Sequence, residues 1–323
     1  MNSAPVFLSA LLHKLYQSRY GIFLMQTNFF RRFFPAGLLL SVLILMLIQA
    51  PCVIQGAHAG LELWYEAVLP SILPFMIITS LLLQQSGGRS VCFLGLLCGL
   101  PIGANLVNLQ YQQRLWTRRQ ADRLLCICNI TSPMFMIGYI LHHTLRNEIA
   151  VLPFLLSVYL PSLLYFLMFL FFSGPKESDS DSAGPISADP VSSKDRLSLD
   201  RILSQSLNAI LTIGLIIMLF CIGMQFLLKV IPASSVPCRI LVSVLEITNG
   251  IHLIMELPVS LQQKTALIAG LTSFGGICSI LQTKHVITSH ELSVLRYSIV
   301  KLCMGLFSYL LVHLFYMIRL FPK

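Results

Sequence analysis

The sequence predicts an all-α, polytopic membrane protein built of two structural repeats, each carrying a re-entrant helical hairpin. Three observations predict it. First, the 323 residues are 56% apolar and only 11% charged, with a mean hydropathy of +0.79, whereas soluble domains carry about 25% charged residues. Second, uncharged runs near the roughly 17–25 residues that cross a bilayer recur at 33–57, 67–88, 90–113, 124–141, 149–175, 202–228, 265–283 and 302–318. Third, two distant runs, Gly95 to Asn105 and Gly270 to Ser279, are interrupted by small residues at corresponding places. Lipid cannot satisfy unpaired backbone amides, so such breaks must be buried in protein or line a cavity. Paired breaks in two halves of a chain point to a transporter's substrate site.

The elements follow in order. Residues 1–32 carry Lys14, Arg19, Arg31 and Arg32 without a clean apolar core and cleavage site, so they read as a cytoplasmic N-terminal segment. Within it, residues 1–24 read as a dispensable extension or as a mis-called start before Met25. The first repeat covers 33–172. Its stretch 51–61 has no Lys or Arg and reads as an external loop, whereas Arg89 and the cluster Arg114, Arg118, Arg119 and Arg123 read as cytoplasmic. Both flanks of 90–113 then lie on one side, so that run enters and returns as a hairpin, which Gly99, Pro101 and Gly103 permit. A spanning helix kinked at Pro101 is the alternative. Thr117 caps a short amphipathic helix before the next span.

Residues 173–201, with ten charged residues and three prolines, form a disordered polar linker. The second repeat, 202–323, places its hairpin at 265–283, followed by a short turn capped by Thr288 or Ser289 and a last span. Residues 236–257 either span or lie at the outer interface; Arg239, Glu246, Asn249, His252 and Glu256 argue against spanning. The interfacial choice makes the two halves inverted, with Arg319 and Lys323 inside and Lys284 and Arg296 outside.

Polar groups inside apolar runs are costly and are functional hypotheses by default. Gly99, Pro101, Gly103 and Asn105 form the first tip. Asn129, Thr131, Ser132 and Pro133 break the run at 124–141. Glu246 and Asn249, then Ser273, Gly275, Gly276 and Gln282, mark the second half, and Lys301 lies near the start of the last span. Half-helix N-termini at such breaks suit an anionic substrate, and Lys301 adds a full charge. Each has a plainer role: snorkelling for Lys301, interhelical hydrogen bonding for Asn129, Thr131 and Ser132, an interfacial charge for Glu246.

The net charge of +9 is spread between apolar runs, as membrane orientation requires, so no nucleic-acid partner is expected. Nine cysteines are scattered, and Cys126 with Cys128 suits neither zinc nor a redox pair. His142 and His143 lack acidic or Cys partners, so no metal is expected; nor is a cofactor or any catalysis. The lipid bilayer and a small anion are the expected partners, and a homo-oligomer is compatible with them.

Four ordered motifs carry a family resemblance. Cys98-Gly99-Leu100-Pro101-Ile102-Gly103-Ala104-Asn105-Leu106 looks like the SGYPxGAKL motif of the sporulation integral membrane protein YlbJ (SpoVV) family. Cys128 to Gly138 resembles its TNSSxPLFIxG stretch, Ala67 to Phe75 its VxPSLLPFF segment, and Leu271 to Gly276, with Gln282 and Lys301 to Gly305, its second-half hairpin. The match runs from about residue 33 to 318. That family falls in the nucleoside-transporter/FeoB Gate-domain group and resembles concentrative nucleoside transporters in architecture. The resemblance implies a mother-cell protein of endospore formers that moves dipicolinic acid across the outer forespore membrane. A non-transporting Gate-domain scaffold or signalling protein is the other reading. Asn105 replaces the family's lysine and Leu100 its tyrosine; if that lysine meets the substrate carboxylate, either this protein's substrate differs or Lys301 serves instead.

Overall fold

The structure, a computed structural model, describes residues 37–86, 91–172, 199–232, 234–289 and 291–321. The expected segment 1–32, including the extension 1–24, and nearly all of the linker at 173–201 lie outside these residues. Two compact units divide the chain, residues 1–53 and 54–323. The first holds α1 (Gly37–Ile48) and the start of α2 (Ala50–Leu63).

In the second unit, α2 runs through a π-helical turn (Trp64–Val68) into α3 (Leu69–Ser86). Two short helices follow, α4 (Val91–Cys98) and α5 (Ile102–Gln112), then α6 (Arg118–Cys128), a π-helical segment (Phe135–Thr144) and α7 (Val151–Phe172). After the linker come α8 (Leu199–Val230), α9 (Val236–Ser243), α10 (Ile247–Met255), α11 (Leu261–Phe274), α12 (Gly276–Val286) and α13 (Val294–Met317). Four stretches are long and apolar enough to cross a membrane: Val151–Phe169, Ile202–Val230, Leu261–Val286 and Val294–Met317. Gly37–Ile48 with Ala50–Glu66 makes a fifth candidate. The protein is an all-helical, multi-pass membrane protein.

Several expectations need correction. The stretch 51–61 is helical within α2, not a loop, because its proline, Pro51, falls in the first turn, where no intrahelical donor is lost. The expected second hairpin at 265–283 does not fold back. There α11 and α12 continue one 26-residue apolar run, Leu261–Val286, interrupted only at Gly275 (φ +91°) and Gly276 (φ +78°). A left-handed glycine ends α11, with its N–H on the Leu271 carbonyl at 2.7 Å, and a new helix starts at once.

The stretch that does fold back is 236–255, and it is not among the helices long and apolar enough to span. Arg239 near the start of α9 pairs with Glu256 just after α10 at 2.9 Å. Nearer the turn, Gly250 packs against the Ser243 carbonyl. That register is an antiparallel helical pair turning at Val244–Glu246. The short capped helix expected after residue 287 is also missing: Ser293 instead caps α13 directly, accepting the Arg296 N–H at 3.2 Å. Thr117 and Gln120 do form a reciprocal capping box, but on α6, the first half of a broken membrane helix.

Which ends lie together follows from side-chain links. Asp122 on α6 accepts the Ser293 N–H at 2.8 Å and pairs with Arg296 at 3.2 Å. Asn108 and Gln112 of α5 reach Thr288 at 3.1 and 2.7 Å, and Tyr111 reaches Glu291. The end of α5, the start of α6 and the α12–α13 link therefore share one arginine-rich end. At the opposite end, His143 meets His252, and Phe315 and Phe321 join Leu145 and Ile149 in one apolar cluster. Arg296 thus lies with Arg118, Arg119 and Arg123, and Arg319 at the opposite end, the reverse of the expected placement. The error came from assigning the fold-back to the wrong segment.

Close approach of helices rests on small residues. Gly270 of α11 and Gly305 of α13 face each other, so that a Cβ on Gly305 would stand 2.8 Å from the Gly270 carbonyl. A Cβ on Gly103 would fall on the Cys128 carbonyl, whereas one on Gly138 would meet nothing within 4 Å. Gly103→Ala should therefore destabilise the detergent-purified protein by about 1–3 kcal/mol in thermal unfolding, with Gly138→Ala near neutral. The positive-inside rule puts the arginine-rich end in the cytoplasm. A variant retaining only Cys238, exposed on α9 at the opposite end, should then react with an impermeant maleimide added outside intact cells; labelling only in inverted vesicles would reverse the orientation.

Candidate functional site

Four chain breaks converge at the centre of the second unit: the α4–α5 turn, the α6–π break, the α9–α10 turn and the α11–α12 break. Each frees backbone groups that lipid cannot satisfy, and they satisfy one another. The Leu100 N–H donates to the Ile130 carbonyl at 2.9 Å, and the Ala104 N–H to the Asn129 Oδ1 at 3.3 Å. On the other side, the Ile277 and Cys278 N–H groups donate to the Val244 and Leu245 carbonyls at 2.9 and 2.8 Å. A cross-brace joins the halves: the Thr131 hydroxyl donates to the Thr272 carbonyl at 2.7 Å.

Glycines make this possible. At Gly99 (φ +72°) a Cβ would stand 2.6 Å from the Ser132 nitrogen, and at Gly275 it would stand 3.0 Å from the Leu100 side chain. The first turn therefore touches the α11–α12 break.

A cavity of about 100 Å³ opens among these breaks. Its polar wall is Thr131, Ser132, Glu246, Thr248, Ser279 and Gln282, and its apolar wall includes Leu100, Phe135, Ile213 and Ile217. Glu246 is buried and caps α10. Its carboxylate accepts the Thr248 N–H at 3.0 Å, the Asn249 N–H at 2.8 Å and the Asn249 side-chain amide at 3.1 Å. That amide also reaches the Cys221 sulfur at 3.0 Å. On the facing helix, the Ser279 hydroxyl donates to the Gly276 carbonyl at 2.9 Å and Gln282 contacts the Cys278 sulfur at 3.3 Å.

Of the residues expected at the site, Thr131, Ser132, Glu246, Gly275 and Gln282 line this cavity. Gly99, Pro101 and Gly103 shape the turn behind it; Gly276 opens α12 beside the α9–α10 turn, and Pro133 opens the second half of the first broken helix. Asn249 holds Glu246 from behind. Asn105 is half-buried on α5 and Ser273 buried on α11, both away from the cavity wall. Asn129 is a hub, not a cavity group: wholly buried, it donates to Thr283 and Tyr297 at 2.8 Å each while accepting from Ala104.

Lys301 is also off the cavity wall. It lies wholly buried inside α13, its ammonium lacking a hydrogen-bond partner among the described residues, with the Cys126 thiol as an electrostatic neighbour. Lys301 and the half-helix N-termini expected to meet an anion thus lie apart from, or are already bonded beside, this cavity. The first-turn amides already bond to Ile130, Asn129, Ser132, Glu246, Val244 and Leu245. Thr248 and Ser279 were missed. Each had a readable signal: Thr248 sits two residues after a capping Glu246, and Ser279 one helical turn after Gly275, on the same face.

Asn129→Ala should lower stability by about 1–3 kcal/mol, because Thr283 and Tyr297 lose a partner in a dry core; an unchanged melting temperature would refute the hub. Lys301→Met should leave the melting temperature equal or higher, since an unpaired buried ammonium costs free energy that a thioether does not. A fall of several degrees would show a stabilising partner for Lys301.

Neither a family model nor a solved structure matches the chain. The chain is similar to the sporulation integral membrane protein YlbJ of Bacillus subtilis (strain 168), with 23% identity over 307 residues, 79% of this chain and 75% of that protein. This similarity supports the resemblance to that family read from the four motifs: a multi-pass membrane protein similar to a sporulation integral membrane protein.

Proposed function

We propose that this protein is a membrane carrier whose substrate occupies the central cavity between two helical fold-backs and two broken spans. One observation carries the reading: six polar side chains line a cavity built where all four chain breaks meet. A scaffold needs buried polar pairs, as Asn129 provides, but has no need of a polar-walled void at membrane depth.

The arrangement supports an inverted repeat with revised members. The first comprises α4–α5, the broken helix α6–π and α7; the second comprises α9–α10, the broken helix α11–α12 and α13. The first fold-back opens to the arginine-rich end and the second to the opposite end, an arrangement that suits alternating access around a fixed site. It also fits the likeness to concentrative nucleoside transporters that the motifs imply.

For the substrate, we propose a small organic anion, with dipicolinic acid favoured by the resemblance and by the relative's place in sporulation. The apolar wall with Phe135 takes a flat ring, and the hydroxyls of Thr131, Ser132, Thr248 and Ser279 supply donors for carboxylates. Deleting the gene in its native spore former should deplete spore dipicolinate, measured by terbium fluorescence; wild-type content would sink this substrate. Ser279→Phe, which fills the cavity without touching the Asn129 hub, should cut uptake of radiolabelled dipicolinate into proteoliposomes by on the order of tenfold or more. Undiminished uptake would place the site elsewhere.

A further inference from the structure

Glu246 makes the cavity chemically asymmetric. Among the described residues lining it, Glu246 is the one acidic side chain, and no lysine or arginine accompanies it. A substrate carboxylate entering there meets a second carboxylate in a water-poor site. Two like charges so placed do not both stay ionised, and one takes up a proton.

An aromatic cluster with titratable members lies between the cavity and the end opposite the arginine cluster. The ring of Phe135, on the cavity wall, stacks on Tyr139 at 4.9 Å, and Tyr139 stacks on His143 at 5.6 Å. His252, from α10, meets Tyr139 edge-on at 6.0 Å and His143 at 6.5 Å. The Tyr139 hydroxyl is buried, with Glu246 and Thr144 as its electrostatic neighbours. Both histidines are exposed at the end opposite the arginine cluster. Around Glu246 the other titratable neighbours are thiols, Cys221 from α8 and Cys278 from α12. Neither carries charge at neutral pH, so they cannot replace the proton. At the mouth of the α9–α10 pair, Arg239 and Glu256 neutralise each other.

We propose that Glu246 is the proton-coupling group of the carrier, taking a proton from the side of His143 and His252 through Tyr139 each time an anionic substrate binds. The proton attaches to a Glu246 oxygen as the substrate carboxylate arrives, crosses with it, and leaves when the cavity opens to the arginine-rich side. No bond other than O–H forms or breaks. The inference rests on the carrier reading above and adds its coupling ion.

The test uses purified protein in proteoliposomes loaded with a pH dye, and radiolabelled dipicolinate as the probe. With wild type, acid outside should drive accumulation above equilibrium, and dipicolinate entry should acidify the lumen. Glu246→Gln should lose both the lumen acidification and the acceleration by external acid, whatever uptake it retains. Tyr139→Phe should slow acid-driven uptake. Dipicolinate uptake by wild type without proton entry, or acid-driven accumulation persisting in Glu246→Gln, would overturn the coupling while leaving the carrier standing.

A transport-independent measurement separates the two readings. Infrared difference spectra of the solubilised protein, taken on adding dipicolinate, should gain a carboxylic-acid band that is missing from Glu246→Gln. If dipicolinate binds without that band, the coupling is overturned even where transport is seen. If the band appears but wild type moves no dipicolinate, the carrier reading fails and the protonation of Glu246 remains.

Discussion

Backbone hydrogen bonds left open at membrane depth organise this molecule. A helix that stops inside a bilayer exposes N–H and C=O groups worth several kcal/mol each if unmet. This chain stops helices four times in one place. Leu100 bonds Ile130, Ala104 bonds Asn129, and Ile277 and Cys278 bond Val244 and Leu245. No break closes by itself, so the fold-backs and the broken helices hold each other in register. The glycines follow from that need, since Gly99 and Gly103 bring one turn against its broken helix at a distance that a Cβ would forbid.

The same constraint explains why the cavity exists and why it is polar. Helix ends that meet tip to tip cannot interdigitate side chains as continuous helices do, so space remains at the crossing. Two of the side chains around it, Ser132 and Glu246, sit at helix starts and accept backbone N–H bonds. Glu246 is the clearest case. It is a cap for α10 first, with its oxygens on the Thr248 and Asn249 amides, and by that geometry it also becomes a wall of the cavity. Asn129, by contrast, spends its side chain on Thr283, Tyr297 and the Ala104 N–H.

Much of this was legible in the residues. Spans at 149–175 and 202–228 appear as α7 and α8, because long uncharged runs in a bilayer have one solution. The small-residue break at Gly99–Gly103 folds as a turn between two short helices, and Pro133 marks the resumption of a broken helix, as its missing N–H requires. The second half was misread for a physical reason. Gly275-Gly276 carries the stronger glycine signal, yet two glycines end one helix and start the next without reversal. The true reversal, at Val244-Leu245-Glu246, has no glycine and no proline. It is made by a carboxylate capping α10 and by carbonyls that find their donors on α12.

By itself, the sequence determined that this is a helical, multi-pass membrane protein with breaks at membrane depth, since hydropathy and the cost of unpaired amides are local properties. It also marked which polar residues are embedded. Only the tertiary structure decided which break reverses the chain, which polar groups face a common space and which are spent on one another. Those outcomes depend on contacts between segments far apart in sequence, such as Thr131 with Thr272 and Asn129 with Tyr297. Lys301 and Glu246 illustrate the difference: both are charged residues in apolar surroundings, and only packing set one in a dry helix core and the other on the cavity wall.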